Sequence, residues 1–312
     1  MDPIERYIID HTEPEEELLQ ELDRETHLRT VAPRMISGHI QGKLLKMLVR
    51  MLRPRRILEI GTFTGYSALS MAAGLAEGEW EESEREDEKR ERGKAEGEKD
   101  EGERGGKVER ASIDTFEVDD EQQEFIQSYF DRSPYGDRIR LHIGSALELA
   151  PRLGVQFDMV FIDGDKREYP DYYRMLMGDR DGRPLVHPGT VLIADNILWY
   201  GKVARPVAHN DHHTQGLVEF NRMVSADPRV ENVIVPLRDG LNLSRVKWRR
   251  RRRRRKTPVL VRVPDLVRIP RAVRPTILFS VHVMLRRFWD KTDVSISFPL
   301  STGVDAGFRA GP

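Results

Sequence analysis

Two short stretches of this chain place oxygen-bearing side chains directly after an apolar run. The stretch "FIDGDK" carries Asp163, and "LIADN" carries Asp195 and Asn196. Two carboxylates and an amide oxygen form a hard ligand set, which suits Mg²⁺, Mn²⁺ or Ca²⁺. Either stretch alone is also typical of a hydrogen-bonded strand end. The two together predict a divalent-cation site, provided that the fold brings both ends to one crevice.

The stretch "LEIGTFTGYS", residues 58–67, has the pattern of a strand, a glycine turn and the start of a helix. Gly61 and Gly65 permit a close approach of the backbone to a ligand, and the N-terminus of a helix offers free N–H groups. The G-x-x-x-G spacing differs from the G-x-G-x-x-G dinucleotide fingerprint and disfavours NAD. An ordinary strand-to-helix turn is the alternative. Glu117 ends the next predicted strand, where nucleotide-binding α/β folds hydrogen-bond a ribose diol, so we expect it to bind a ribose.

The elements that position these residues follow from the apolar periodicity. Residues 1–50 have helical spacing, and beyond them predicted strands alternate with predicted helices up to residue 248. This alternation predicts one α/β domain with a mainly parallel, seven-stranded sheet, helices on both faces and right-handed crossovers. Two closing strand patterns separated only by "RDG" predict a hairpin, which makes the last strand antiparallel. In such a sheet the site lies at the carboxyl ends of the strands.

The formal net charge of −1 hides three unlike pieces. Residues 77–107 contain fourteen acidic and eight basic side chains, with too little apolar surface to offset the entropy of ordering, which predicts a disordered insertion. Residues 249–312 begin with seven arginines and have prolines at short intervals, which predicts a basic, mostly disordered tail. Such a run attracts nucleic acid or another anionic partner, and a dispensable extension is the alternative. The residues outside 77–107 and 247–312 carry a net charge of −8 and lack the basic face of a nucleic-acid reader.

The 312-residue sequence contains no cysteine, which excludes disulfides, thiolate metal sites and a cysteine nucleophile. The N-terminus is acidic and lacks the basic and apolar regions of a signal peptide. No apolar run reaches the roughly 18 residues that a membrane-spanning helix needs. These features predict a cytoplasmic protein without a membrane span.

Five stretches carry a resemblance to a known family: "MISGHIQGKLL", "LEIGTFTGYSAL", "FIDGDKREY", "VLIADNILWYGKV" and "DPRVENVIVPLRDGLNLSRVK". In this order they resemble the cation-dependent small-molecule O-methyltransferases, which include catechol and caffeoyl-CoA O-methyltransferases. The resemblance spans residues 15–248 apart from the charged insertion. It implies a Rossmann-like methyltransferase domain over residues 1–248, interrupted at 77–107, that binds S-adenosylmethionine (SAM) and a divalent cation, Mg²⁺ before Mn²⁺ or Ca²⁺. It also implies methyl transfer to a hydroxyl of a small phenolic acceptor, and a homodimer, which the residues themselves do not show.

Carried over position by position, the resemblance assigns roles to individual residues. Asp163, Asp195 and Asn196 would hold the cation, and Lys166 would take the proton of the acceptor hydroxyl. A phenol has a pKa near 10, and only a neutral lysine accepts its proton, so this role needs a lowered lysine pKa. A solvated Lys166 paired with Asp165 is the alternative, and the role of Asp165 stays open. SAM would contact Met35, Ser37, Glu59, Gly61, Phe63, Ser67, Glu117, Ala146 and Asp163.

The acceptor pocket is the least determined part of the predicted site. Its candidates are Trp199, Tyr200 and a loop over residues 204–215. The loop histidines have no paired acidic ligand or thiolate, which predicts an exposed loop rather than a metal site; they are His209, His212 and His213. Two alternative functions remain: a cation-independent or degenerate SAM-binding protein, and a nucleic-acid-associated protein that acts through the arginine tail.

Overall fold

A seven-stranded sheet lies at the centre of the computed structural model, which describes residues 3–76, 110–179 and 182–247. Its order is β3-β2-β1-β4-β5-β7-β6. Strands β1 to β5 pair in parallel, and β7 runs antiparallel to both β5 and β6. The predicted mainly parallel sheet with an antiparallel closing strand is therefore confirmed. The strands are β1 (Arg56–Ile60), β2 (Ser112–Glu117), β3 (Ile139–Ile143), β4 (Phe157–Ile162), β5 (Val186–Ala194), β6 (Val230–Val235) and β7 (Leu241–Val246).

Helices cover both faces of this sheet, as predicted. One apolar core lies between the sheet and helices α6 to α8, and a second lies between the sheet and helices α2 to α5. The helices are α1 (Pro3–Asp10), α2 (Glu17–Arg29), α3 (Gly38–Leu52), α4 (66–76, where the described range ends), α5 (Gln123–Arg132), α6 (Ala146–Leu149), α7 (Tyr169–Leu176) and α8 (His212–Ala226).

The central strands are apolar almost throughout because helices cover them on both sides. In β4, four successive residues, 159–162, have no accessible surface. In β1, Ile57 and Leu58 are equally buried, and so is the charged residue that follows them, Glu59. A glutamate inside such a strand is energetically costly unless its oxygens have partners, so it marks a position with a task other than packing.

Helix α3 carries the N-terminal part of the chain over the carboxyl ends of the strands. Its buried positions include Gln41, Leu45 and Val49, which recur every four residues on one face. Gly42 on the same face packs closely on α4, because a Cβ at this position would lie 2.7 Å from Tyr66 and from Ser70. This close packing fixes the start of α3, and the segment before it, above the turn that follows β1.

Local features set several element boundaries. The helix that begins at Ala146 ends its α-helical part at Leu149 and continues as a 3₁₀ turn, because Pro151 has no N–H to donate. Strand β5 begins at Val186, and its pairing with β4 shifts register between Phe157 and Met159. Helix α8 begins at His212 because the carboxylate of Asp211 accepts the Thr214 N–H as an N-cap.

The predicted insertion at 77–107 and the predicted tail at 249–312 lie outside the described residues, so the predicted domain limits stay a prediction. In the part of the chain that the structure describes, no helix has both the length and the apolar character needed to cross a membrane.

Candidate functional site

A cavity of about 1110 Å³ lies at the carboxyl ends of β1, β2, β4 and β5. This is the crevice in which an α/β sheet of this kind binds ligands. Only Glu59, among the predicted site residues, is absent from its lining. The predicted residues that line it are Met35, Ser37, Gly61, Phe63, Ser67, Glu117, Ala146, Asp163, Lys166, Asp195 and Asn196.

The turn after β1 runs so close to the end of β4 that only glycine fits there. Gly61 has a φ of +96°, and a Cβ added to it would lie 2.5 Å from the carbonyl oxygen of Asp163. Gly65 has a φ of +90°, and its Cβ would lie 2.6 Å from the ring of Phe130. Phe63, between them, also has a positive φ, of 50°. The close contacts of Gly61 with Asp163 and of Gly65 with Phe130 therefore require glycine at both positions, whether or not a ligand is bound.

Glu117 stabilises this turn through backbone donors. Its Oε2 accepts the N–H of Phe63 at 2.7 Å, and its Oε1 accepts those of Val118 at 2.8 Å and Asp119 at 3.0 Å. A carboxylate has about four lone-pair positions, so three bonds leave one for a hydroxyl donor. The carboxylate is thus held rigidly at the cavity wall with capacity for one further hydrogen bond.

Glu59 lies in β1, next to the cavity lining rather than in it. Thr115 donates to its Oε2 at 2.5 Å, and the lining residue Ser67 hydrogen-bonds to the same carboxyl group. Its other oxygen, Oε1, is buried and has no hydrogen-bond partner among the described residues. Burial, opposed by these two hydrogen bonds, raises the pKa of Glu59 to about 8. An unpaired buried oxygen of this kind would be stabilised by a cationic group in the adjacent cavity.

The predicted cation ligands come together at the ends of two paired strands. Ile162 and Ala194 are in register across β4 and β5, so the residues that follow them, Asp163 and Asp195, are neighbours. Burial raises the pKa of Asp163 to about 6, with a further contribution from the charge of Asp195, although Lys166 opposes both. Asn196 follows with a φ of +56°, a left-handed conformation that asparagine tolerates better than most residues.

This donor set fits a divalent cation. Two neighbouring carboxylates in a partly buried place repel each other, and an ion of charge +2 between them removes that repulsion. Within residues 3–76, 110–179 and 182–247, no three or more His, Cys, Asp or Glu side chains are grouped to hold a metal ion. The predicted cation ligands are not a group of this kind, because the third of them is the amide of Asn196.

Lys166 is buried beside these carboxylates. Its Nζ donates to Asp163 Oδ1 at 2.6 Å and to the Tyr169 hydroxyl at 2.8 Å, and the residue is only 8% exposed. Asp165 is paired with Arg167, whose Nε lies 2.9 and 3.0 Å from its two oxygens and holds its pKa below the usual range. The structure therefore does not contain the solvated Lys166–Asp165 pair considered as an alternative above.

Three residues that contact the predicted site were not foreseen from the sequence. The Tyr169 hydroxyl lies 3.0 Å from the carbonyl oxygen of Asp195. Gln41 donates to Asp195 Oδ2 at 2.6 Å, and Arg238 lies 3.3 Å from the oxygen of Gln41. The sequence contained one signal for them: Gln41 is a polar residue at an otherwise apolar helix position, four residues before Leu45.

Aromatic side chains form the outer wall of the cavity on the side of Asn196. The ring of Trp199 stacks on that of His213, with centroids 5.9 Å apart and an angle of 19°. Tyr200 lies beside Trp199 and is 79% exposed. His213 is exposed as predicted, but it and His212 belong to the first turn of α8 and not to a loop.

The sequence profile of the O-methyltransferase family matches residues 9–99 and 107–247, so the chain belongs to this family. It is similar to the catechol O-methyltransferase of Niastella koreensis, at 27% identity over 66% of this chain and 80% of that protein. Caffeoyl-CoA O-methyltransferase 1 of Eucalyptus globulus is also 27% identical, over 68% of this chain and 74% of that protein.

A solved structure shares the fold. The O-methyltransferase TomG from Streptomyces achromogenes, which is involved in tomaymycin synthesis and was solved in complex with SAM, is 26% identical. It superposes with a TM-score of 0.62 over 80% of this chain and 100% of that chain. The predicted Rossmann-like methyltransferase fold is therefore confirmed.

Proposed function

We propose that this chain is a SAM-dependent and divalent-cation-dependent O-methyltransferase that methylates a hydroxyl of a small phenolic acceptor. One observation carries the proposal. A single cavity joins the glycine turn and Glu117 on one side to Asp163, Asp195, Asn196 and Lys166 on the other. The SAM side of the site comprises Glu59, Gly61, Phe63 and Glu117, and the cation side comprises Asp163, Lys166, Asp195 and Asn196.

The SAM side fits the parts of the cofactor that need polar partners. Glu117 has one free acceptor position for a ribose hydroxyl. The unpaired Oε1 of Glu59 suits the ammonium group of the methionine part, and ionisation of this carboxyl group would be favoured by that positive charge. Met35, before α3, is 58% exposed and lines the cavity, so its side chain is available to cover the bound cofactor.

The cation side supplies the means to ionise the acceptor. A bound divalent cation would lower the pKa of the acceptor hydroxyl and orient its oxygen. Asp163, Asp195 and the Asn196 amide would hold it. Lys166, in its neutral form, would accept the hydroxyl proton at Nζ, where the Tyr169 hydroxyl fixes its position. The acceptor oxygen would then bond to the methyl carbon of SAM as its carbon–sulfur bond breaks, with S-adenosylhomocysteine (SAH) as the second product.

The aromatic wall supports a phenolic acceptor. Trp199, Tyr200 and His213 line the cavity together with the proposed cation ligands. A flat aromatic ring packs favourably against such a wall in offset or edge-to-face geometry. Catechols and caffeoyl-type phenols both have the flat ring and the vicinal hydroxyls that this geometry would accept.

A methyl-transfer assay with SAM tests the proposal on a panel of catechol and caffeoyl-type phenols. We expect turnover with Mg²⁺ and its loss in EDTA or in the Asp163→Asn variant, while Asp137→Asn, an exposed carboxylate paired with Arg110, stays active. Full activity in EDTA would refute the role of the cation. SAH binding with no transfer to any phenol would favour the degenerate SAM-binding alternative.

The remaining predictions have no structural observation for or against them. The predicted homodimer rests on the family resemblance alone. The predicted nucleic-acid or anionic partner depends on residues 249–312, which lie outside the described residues.

A further inference from the structure

Arg238 occupies a backbone conformation that is unusual for its residue type. It lies in the turn between β6 and β7 with a φ of +50°. Glycine adopts this left-handed region readily, whereas a residue with a Cβ does so at a cost. Such a conformation persists where the surrounding contacts compensate for it. The contacts of this arginine therefore indicate what its side chain does there.

The Arg238 guanidinium holds the segment that precedes α3. Its Nη1 donates to the carbonyl oxygen of Ile36 at 3.0 Å and to that of Ser37. Both residues are almost completely buried, and both line the cavity next to Met35. The turn between two C-terminal strands is thus bound to the N-terminal segment that would cover SAM.

The same nitrogen also orients the side chain of Gln41. Nη1 lies 3.3 Å from Gln41 Oε1, and Gln41 Nε2 donates to Asp195 Oδ2 at 2.6 Å. A guanidinium has donors only, so the amide oxygen must face it and the amide nitrogen must face Asp195. Gln41 has no accessible surface, so water cannot take over either bond. Arg238 therefore fixes the orientation of Asp195 through one intermediate side chain.

The opposite side of this turn contacts the segment that carries the aromatic wall. The carbonyl oxygen of Asp239 accepts the Leu198 N–H at 3.0 Å, and its Oδ1 accepts the Tyr200 N–H at 2.7 Å. Gly240 accepts the Ile197 N–H at 3.1 Å. The turn is thus fixed to the acceptor side of the cavity independently of Arg238.

We propose that Arg238 is a positioning residue that couples the SAM-covering segment to the cation ligand Asp195. The inference rests on the proposed function, because it assumes that SAM and a cation share this cavity. With the cofactor bound against residues 36–37, Arg238 and Gln41 would hold Asp195 in place, and a cation on Asp195 would stabilise the same arrangement. Such coupling is reciprocal, so each ligand tightens the binding of the other.

Calorimetric titration of the full chain with SAH, with and without Mg²⁺, tests this coupling without any need for turnover. The wild-type chain should bind SAH more tightly in Mg²⁺. Arg238→Gly keeps the left-handed turn and removes the donor. We expect it to bind SAH about tenfold more weakly, the effect of losing a hydrogen bond from a charged group, and to lose the response to Mg²⁺.

Arg53→Gly is the matched control. Arg53 also has a φ of +50°, but it follows α3 at the amino end of β1 and does not line the cavity. We expect wild-type SAH affinity and an intact Mg²⁺ response in this variant. Equal SAH affinities and equal Mg²⁺ responses in Arg238→Gly and Arg53→Gly would refute the inference. A wild-type SAH affinity that does not change with Mg²⁺ would also refute it.

Arg238→Lys separates charge from geometry and remains informative if Arg238→Gly does not fold. A lysine keeps the charge near Asp163 and Asp195 but lacks the planar group that bonds two carbonyls and an amide. We expect SAH affinity between those of the wild type and Arg238→Gly, and a cooperative thermal unfolding transition that shows the variant to be folded. Full recovery would assign the effect to charge alone and overturn the positioning role. A wild-type chain that binds no SAH would instead refute the proposed function.

Discussion

The SAM side and the cation side of the cavity hold their carboxylates by different means. Glu117, on the SAM side, receives three hydrogen bonds, all from backbone N–H groups. On the cation side, Asp163 is bonded by the Lys166 ammonium and Asp195 by the Gln41 amide, with one further bond from the Asn196 N–H. Backbone donors are fixed by the fold, whereas side-chain donors can move when a ligand arrives. Glu117 is therefore preorganised by the fold, whereas Asp163 and Asp195 depend mainly on side-chain donors. Glu59, also on the SAM side, likewise depends on the side chains of Thr115 and Ser67.

The largest expected effect is on the cation side, in Asp195→Asn. A neutral amide in place of this carboxylate weakens the binding of the cation that would stabilise the ionised acceptor, and we expect kcat/KM to fall about 10²–10³-fold. SAH affinity without added cation should stay within about twofold of wild type, because Glu117 and its backbone donors are untouched. Steady-state kinetics and calorimetry measure the two quantities. A parallel loss of cation-free SAH affinity would show that the two sides are not separate.

The next effect concerns the proton acceptor. Lys166→Met should lower kcat about 10²-fold with little change in the KM for SAM, because a positioned base contributes at least this much. Tyr169→Phe removes only the hydroxyl that positions Nζ, so we expect a smaller loss, about tenfold in kcat. Arg167→Met, the adjacent exposed cation bound to Asp165, is the control. A loss in Arg167→Met as large as that in Lys166→Met would argue against a specific role for Lys166.

A third prediction concerns the pH dependence of stability and the buried Glu59. Its pKa of about 8 exceeds the ordinary 4.5, so the folded chain keeps a proton that the unfolded chain loses between these values. This group therefore makes stability fall as pH rises from about 4.5 to about 8, by roughly 1–4 kcal/mol. Glu59→Gln should remove that part of the slope, whereas Glu124→Gln on the exposed face of α5 should not. Urea unfolding at pH 5 and pH 8 measures the change in the free energy of unfolding with pH. The same change in Glu59→Gln and Glu124→Gln would contradict the prediction.

The smallest expected effect is at the aromatic wall. His213→Ala removes the ring that stacks on Trp199, and we expect the acceptor KM to rise about two- to tenfold with kcat nearly unchanged. His212, adjacent in sequence but absent from the cavity lining, provides the matched control in His212→Ala. Equal KM values in the two variants would exclude His213 from acceptor binding.

The positions at which the strands end can be predicted from the sequence alone. Apolar runs fix where β4 and β5 stop, and parallel pairing brings the residues after them together, so the meeting of Asp163 with Asp195 follows from pattern alone. Glycine spacing likewise located the turn at Gly61. The antiparallel closing strand followed from the short "RDG" connection. These features are local or depend only on the rule that parallel strands end at one edge.

The contacts that support the site were beyond the sequence because they join distant segments. Arg238 and Ile36 are about two hundred residues apart, and nothing in either stretch indicates the other. Tyr169 occupies the start of α7, where an aromatic residue predicts packing and not a bond to Lys166. His212 and His213 lie in α8 and not in the predicted loop because Asp211 is the N-cap, a signal that the sequence contains, whereas His209 precedes the helix.

The placement of α4 has a consequence for engineering this enzyme. The helix starts at the glycine turn and returns along β1, and β2 begins beside β1, where the Ser112 N–H bonds the Arg55 carbonyl. Residues 76 and 110, which bound the described parts of the chain here, therefore lie at the amino ends of the strands, on the side of the sheet opposite the cavity. This side is a natural attachment point for a reporter, an affinity tag or a shortened linker, because changes there are separated from the chemistry by the full length of the strands.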